Sequence, residues 1–254
     1  RGRGAGLHAT SACAAGDTLL QIPLSSCITS ADAPAEQAAL LPPDDAFGRL
    51  LLALVHRAEV CPDYPLSRYF TSLFTLAGAE SHMMVLWPEE SAAARRVAHS
   101  FAWRRARAAR RDMLREHQAL VAAGALHASA ETYIWAKLAL QTRAFTTSQG
   151  LALVPLVDLA NHASLGATAR CERITNSAGA TIGMSLIANY ALDPGDEVSI
   201  CYDPEADYVD VLERYGFFDA TSVVHTVEVG VTDAALWGES VGDECRRELI
   251  AAEA

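Results

Sequence analysis

Leu153-Val154-Pro155-Leu156-Val157-Asp158-Leu159-Ala160-Asn161-His162 is an apolar run that three polar residues interrupt. Asp158, Asn161 and His162 stand where burial is expected, and buried polar groups must find partners. Two readings follow from that alone: a structural hydrogen-bond network, or a bound polar ligand. An Asp with a His also suggests a hydrolase, but no Ser or Cys stands in a nucleophile elbow.

Downstream of this run the strand style continues. Thr181 to Leu192 and Glu197 to Tyr202 read as strands, separated by the turn Asp193-Pro194-Gly195-Asp196. Residues 207–215 read as a helix that Gly216 stops. Upstream the character is helical. Tyr133, Ile134, Lys137, Leu138 and Gln141 share stripes of one helix over 130–145, and stretches 66–76 and 89–128 are rich in alanine and arginine. Leu50, Leu51, Leu54 and Val55 recur at helical spacing after the start signal Pro42-Pro43-Asp44-Asp45. Residues 6–29 return to short strands, with Thr18 to Pro23 a brief apolar run after the turn Gly16-Asp17. The order is thus β, a long helical insertion, β, and the start of something else after about residue 220.

The chain has 254 residues, enough to bury a real core in one large or two modest domains. Its formal net charge of −11 disfavours nucleic acid, whose phosphates need clustered cations. That acidity suits a basic substrate segment, although it is also a common solubility default. No apolar run approaches the ~18 residues that span a bilayer, and no secretory signal opens the sequence. Arg1-Gly2-Arg3-Gly4 runs straight into patterned sequence, so the chain reads as beginning inside a longer protein. Lys137 is its one lysine beside many arginines and alanines, which reads as coding bias. Cys13, Cys27, Cys61, Cys171, Cys201 and Cys245 form no C-x-x-C pair, so neither a metal site nor a disulfide framework is expected, only reduced and mostly buried thiols. The arginines from Arg95 to Arg115 read as the solvated face of a helix, with a docking surface as the alternative.

Three further stretches carry candidate chemistry. Gly4-Ala5-Gly6-Leu7 is either a simple turn or a place where backbone approaches a ligand closely. In Thr142-Arg143-Ala144-Phe145 the arginine is either a helix-end cap or a planar clamp for a carboxylate. Pro194-Gly195-Asp196-Glu197-Val198-Ser199-Ile200-Cys201-Tyr202-Asp203, with Tyr215-Gly216-Phe217-Phe218, offers aromatics for a core or for a channel around a cationic side chain.

The ordered set G-x-G-L, R-A-F, D-L-x-N-H, P-G-D-E-V-x-x-x-Y and Y-G-F resembles the SET-domain protein methyltransferases. It is most similar to the branch of the plant Rubisco large-subunit lysine methyltransferases, over about residues 3–219. The resemblance implies an α+β fold: a SET-domain β-fold of short strands and small sheets, interrupted by a long helical insertion, with the start of a helical C-terminal region. The corresponding divisions are 1–30, the insertion 31–145, 146–219, and a substrate-binding region beginning over 220–254. It further implies a monomeric, S-adenosylmethionine-dependent protein-lysine N-methyltransferase, releasing S-adenosylhomocysteine and acting on a plastid or cytosolic protein in chloroplast or cytoplasm. Gly4, Ala5 and Gly6 match the loop along the cofactor, Arg143 the residue facing its carboxylate, and Asn161 and His162 the positions holding its amino group and adenine. Tyr202 matches the tyrosine at the methyl-transfer channel, touching cofactor and acting in catalysis. Phe145, Asp158, Tyr215 and Phe217 match positions around the target lysine.

Two alternatives remain open from the residues. Actin-type protein-histidine methyltransferases resemble this chain less, carrying asparagine where Phe145 stands and tryptophan where Val157 stands. A catalytically weak SET-like binding module is the other, because Asp207-Tyr208-Val209-Asp210 replaces an S-N-A-E-like run. Arg3 stands where an acidic residue is common, and a further pocket tyrosine has no match near Arg173.

Overall fold

The computed structural model describes residues 6–60, 69, 73, 75–80, 82–219, 222 and 224. Nearly all of them fall in one unit, Arg1–Val223. The expected C-terminal region lies outside the described residues, Ser222 and Val224 apart, as does most of the helical stretch 66–76.

The described strands are β1 (Leu7–His8), β2 (Thr18–Pro23), β3 (Ile28–Thr29), β4 (Ala144–Thr147), β5 (Gly150–Leu153), β6 (Asn161–His162), β7 (Ala169–Thr175), β8 (Thr181–Ala188) and β9 (Glu197–Ile200). They form three small sheets in the orders β1-β9-β6, β2-β8-β7 and β3-β5-β4. β8 is central to its sheet and buried along nearly its whole length, whereas its neighbour β7 is mostly exposed. That explains why Ala169–Thr175, rich in charge, gives no strand signal in the sequence. Its pairing with β8 makes it a strand.

Between β3 and β4 the chain is helical. The longer helices are Ala46–Val60, Phe101–Ala122 and Ala130–Arg143. The stretch 89–128 holds two helices, Ala92–Arg96 and Phe101–Ala122, because Ser100 accepts a hydrogen bond from the Trp103 N–H and starts the second. Ser129 caps the next helix in the same way at Thr132. That helix stops at Arg143 instead of running on to 145, since Ala144 is already extended and paired with Leu153. The apolar run from Leu153 to His162 divides likewise. β5 ends at Leu153, a 3-10 turn covers Val157–Leu159, and β6 follows.

Three apolar clusters result among the described residues, the smallest around Met84, Ala94, Trp103 and Ala106, and two larger ones. One gathers Leu50, Leu51, Leu54, Tyr133, Leu138 and Leu140 from the insertion around Ile28 and Leu153. The other, holding Val154, Val157, Ala160, Leu186, Val198 and Ile200, lies between the sheets. The arginines of Phe101–Ala122 are not simply a solvated face. Arg107 bonds Glu89, Arg105 reaches Glu213 at 2.9 Å, and Arg110 donates to the Val85 carbonyl. The described thiols are more open than expected: Cys27 is buried, but Cys13, Cys171 and Cys201 are half-buried, the last two lining a cleft, while Cys61 and Cys245 lie outside the described residues. Among the described residues no helix is long and apolar enough to cross a membrane.

Candidate active site

One three-stranded sheet collects stretches that are far apart in the chain. β1 runs antiparallel to β9, with Leu7 opposite Val198, and β6 lies parallel on the other side, with Asn161 opposite Ser199 and His162 opposite Ile200. Gly6 immediately precedes β1, and Tyr202 stands two residues past the end of β9. Gly6 therefore abuts Asn161. A Cβ at Gly6 would sit 2.5 Å from Asn161 Nδ2, so any larger residue would have to displace that amide. Gly4, Ala5 and Arg3 lie outside the described residues.

His162 is buried, and its ring is occupied by the fold. Its Nδ1 accepts the Tyr202 backbone N–H at 3.1 Å, which leaves the proton of the neutral ring on Nε2. Nε2 faces Ser164 Oγ at 2.8 Å and Asp219 Oδ2 at 3.3 Å. Whatever His162 offers a ligand must come from its backbone or ring face. Tyr202 donates its hydroxyl to the Ala160 carbonyl at 2.8 Å. Burial pushes this phenol up to about 12, against the opposing pull of the nearby Arg143 guanidinium. At neutral pH Tyr202 is a protonated donor.

Arg143 ends its helix without capping it. Nη1 donates to the Asp158 carbonyl at 2.8 Å and approaches Asp158 Oδ2 at 3.4 Å, while Nη2 donates to the Leu73 carbonyl at 3.1 Å. The Asp158 side chain is wholly buried, and Oδ2 also accepts the Tyr69 hydroxyl at 2.8 Å. Burial pushes the Asp158 carboxyl up, with Arg143 and Tyr69 opposing; the Tyr69 hydroxyl is pushed well up by the same burial. Two buried atoms of this cluster have no hydrogen-bond partner: Arg143 Nε and Asp158 Oδ1. Such orphans are costly in a dry interior and mark a place where a ligand can pair. Tyr69 gives no sequence signal, because it lies 89 residues from Asp158 in a stretch that reads only as helical.

A cleft of about 340 Å³ opens beside these groups, lined by Arg143, Phe145, Asp158, Ile200, Tyr202 and Tyr215, with Cys171 and Cys201 on its wall. Four rings close on one another at its edge: Tyr202–Tyr215 at 4.9 Å, Tyr215–Phe217 at 6.0 Å, Phe217–His162 at 5.7 Å and His162–Tyr202 at 5.0 Å. Tyr215 ends a helix, Tyr208–Tyr215, and Gly216 at φ +78° turns the chain into Phe217. The divergent 207–210 segment has a structural role, since Asp207 caps this helix by accepting from the Val209 and Asp210 N–H groups. Arg173 is exposed on β7, and Cys171 lines the cleft instead.

Gly6, Asn161, His162 and Phe217 do not line that cleft. His162 borders a second cavity of about 420 Å³ with Glu197, Ser199 and Asp219. Successive strand residues face opposite ways, so Ile200 points to the first cavity and Ser199 to the second. The candidate residues thus converge on β9 and Tyr202 from two sides.

No protein-family model matches the chain, and no curated protein does. Solved structures do. The SET domain of LSMT bound to lysine and AdoHcy aligns with a TM-score of 0.69 at 20% identity, covering 87% of this chain and 52% of that one. Rubisco LSMT bound to sinefungin and monomethyllysine aligns at 0.67 and 21%, covering 87% and 51%. Rubisco LSMT bound to AdoMet aligns at 0.58 and 20%, over the same shares. The chain spans about half the length of these structures. At such identities the likeness establishes the fold: this is a SET-domain fold of the LSMT kind.

Proposed function

We propose that the chain is the catalytic part of a protein-lysine N-methyltransferase that uses S-adenosylmethionine. The observation that carries the reading is the orphaned Arg143 Nε beside an aromatic cleft. Those residues fit the cofactor. Arg143, with Nε unpaired, suits its carboxylate, Asn161 its ammonium, and Gly4, Ala5, Gly6 and His162 its adenosine half. The SET-fold neighbours solved with AdoMet, AdoHcy, lysine and monomethyllysine support the same pairing of cofactor and substrate.

When bound, S-adenosylmethionine supplies a methyl group on a sulfonium, open to in-line displacement by a neutral amine. The chain itself has to present that amine. A free lysine titrates near 10.4, so it arrives charged at neutral pH. The rings of Phe145, Tyr202 and Tyr215 attract the cation as it enters, and their apolar wall then disfavours its charge. Tyr202, held to the Ala160 carbonyl and fully protonated, orients the reacting atoms and does not take the proton. Phe145 provides a flat apolar wall with no polar partner for an imidazole, which favours lysine over histidine as acceptor. In this reading residues 1–30 and 146–219 are the two SET halves, and 31–145 the insertion. The substrate is a plastid or cytosolic protein, with the Rubisco large subunit the first to try.

The test is labelled S-adenosylmethionine with a cell extract, comparing wild type with Tyr202→Phe. Label should fall by about 100-fold in the variant. The wild-type rate should rise with pH as the lysine amine loses its proton, and Tyr202 should add no inflection near neutrality. Equal labelling by both proteins would remove Tyr202 from its role. No cofactor binding at millimolar concentration would leave a SET-like binding module, and a product methyl on an imidazole would make the enzyme a histidine methyltransferase.

A further inference from the structure

Glu197 is not among the residues that the resemblance assigns a role, yet it makes one of the shortest side-chain contacts at the site. Asn161 Nδ2 donates to Glu197 Oε1 at 2.7 Å, and a Cβ at Gly6 would lie 3.4 Å from that same oxygen. Glu197 is itself well anchored. It opens β9 opposite His8, and the turn before it is tied to β1 by the Ala9 N–H on the Asp196 carbonyl at 2.9 Å and the Gly195 N–H on the Ala9 carbonyl at 2.8 Å.

A primary amide can present either end, and a carboxylate decides which. An ionised carboxylate only accepts, so the Asn161 NH₂ must face Glu197; the reverse orientation would set two acceptor oxygens against each other. The Asn161 carbonyl oxygen is then turned away from Glu197, and no described protein group donates to it. What that oxygen can hold is a donor, and a cationic donor most of all.

We propose that Glu197 is a positioning residue, fixing the Asn161 amide so that its oxygen receives the ammonium of the cofactor's amino-acid end. This rests on the methyltransferase reading above. Glu197 acts on one part of the ligand only. Its loss lets the amide turn and weakens ligands that carry the ammonium, while ligands lacking the amino-acid end keep their affinity.

Calorimetry with two probes tests this. S-Adenosylhomocysteine carries the amino-acid end and 5′-methylthioadenosine does not. Glu197→Ala should weaken S-adenosylhomocysteine by about tenfold or more, the scale of a lost charge-assisted hydrogen bond, with 5′-methylthioadenosine unchanged. Glu197→Gln, whose side-chain carbonyl can accept the same bond, should restore most of the affinity. In an Asn161→Ala background Glu197→Ala should add almost nothing, because the two act as one unit. Equal weakening of both probes, or additive losses in the double variant, overturns the proposal and leaves Glu197 a structural residue. Wild-type protein that binds 5′-methylthioadenosine but not S-adenosylhomocysteine also overturns it. Wild type that binds neither overturns this inference together with the methyltransferase reading.

Discussion

Arg107 on the outside of the insertion and Arg143 where its last helix meets the β-core each face a carboxylate, under opposite conditions. Arg107 makes two 2.9 Å hydrogen bonds to Glu89, with side chains 42% and 61% exposed. Arg143 reaches a carboxylate with no exposure at all, binds two carbonyls from distant segments, and keeps Nε buried and unpaired. The first arrangement has good geometry in water, where it stabilises little. The second sits in a dry environment, where a missing partner is expensive and a supplied one is strongly held. The body of the insertion is thus built as a scaffold around an apolar centre, and its junction with the β-core as a place left incomplete.

Breaking the buried side should have the largest effect. Arg143→Ala leaves Asp158 without its cation and should cost about 3 kcal/mol of stability in a denaturant titration. It should also abolish cofactor binding. Arg143→Lys should recover most of the stability but not the affinity, since an ammonium cannot reproduce the planar fork. Full recovery of both by lysine would mean that charge alone matters there.

The scaffold side should behave differently. Leu54 is completely buried in the insertion core, so Leu54→Ala should also cost about 3 kcal/mol. Below its lowered melting temperature that variant should keep its turnover number. A large loss of turnover in still-folded protein would show that the insertion shapes the cleft and does more than support it. Arg107→Ala should be the mildest change, less than about 0.5 kcal/mol by thermal melting and diminishing with added salt. A larger cost would mean that the insertion's surface charges are structural after all.

Local pattern explains which parts of this fold are legible from residues alone. Thr18–Pro23 forms the strand its apolar run predicts, and Tyr208–Tyr215 the helix that Gly216 stops. Ala169–Thr175 is invisible at that level, because an exposed edge strand rich in arginine and glutamate carries no burial pattern of its own. The helix ends at Arg143, two residues short of its predicted end, because pairing of Ala144 with Leu153 overrides a sequence that could continue the helix. At the site, the early glycine, Arg143, Asn161, His162 and Tyr202 stand out in the sequence through their ordered spacing. Tyr69 and Glu197 do not, since a tyrosine in a helix and a glutamate beside a turn look ordinary until their partners are known.

The sequence by itself determined the order of β and helical segments, the polar interruptions in an apolar run, and the motif set that resembles the SET family. These follow from residue type and spacing, which act over a few neighbours. Only the tertiary structure decided which polar groups meet: Tyr69 with Asp158, Asn161 with Glu197 across 36 residues, and the Tyr202 N–H with His162 across 40. Those contacts are chosen by the packing of three small sheets against one another, and no local propensity encodes which strand lies beside which.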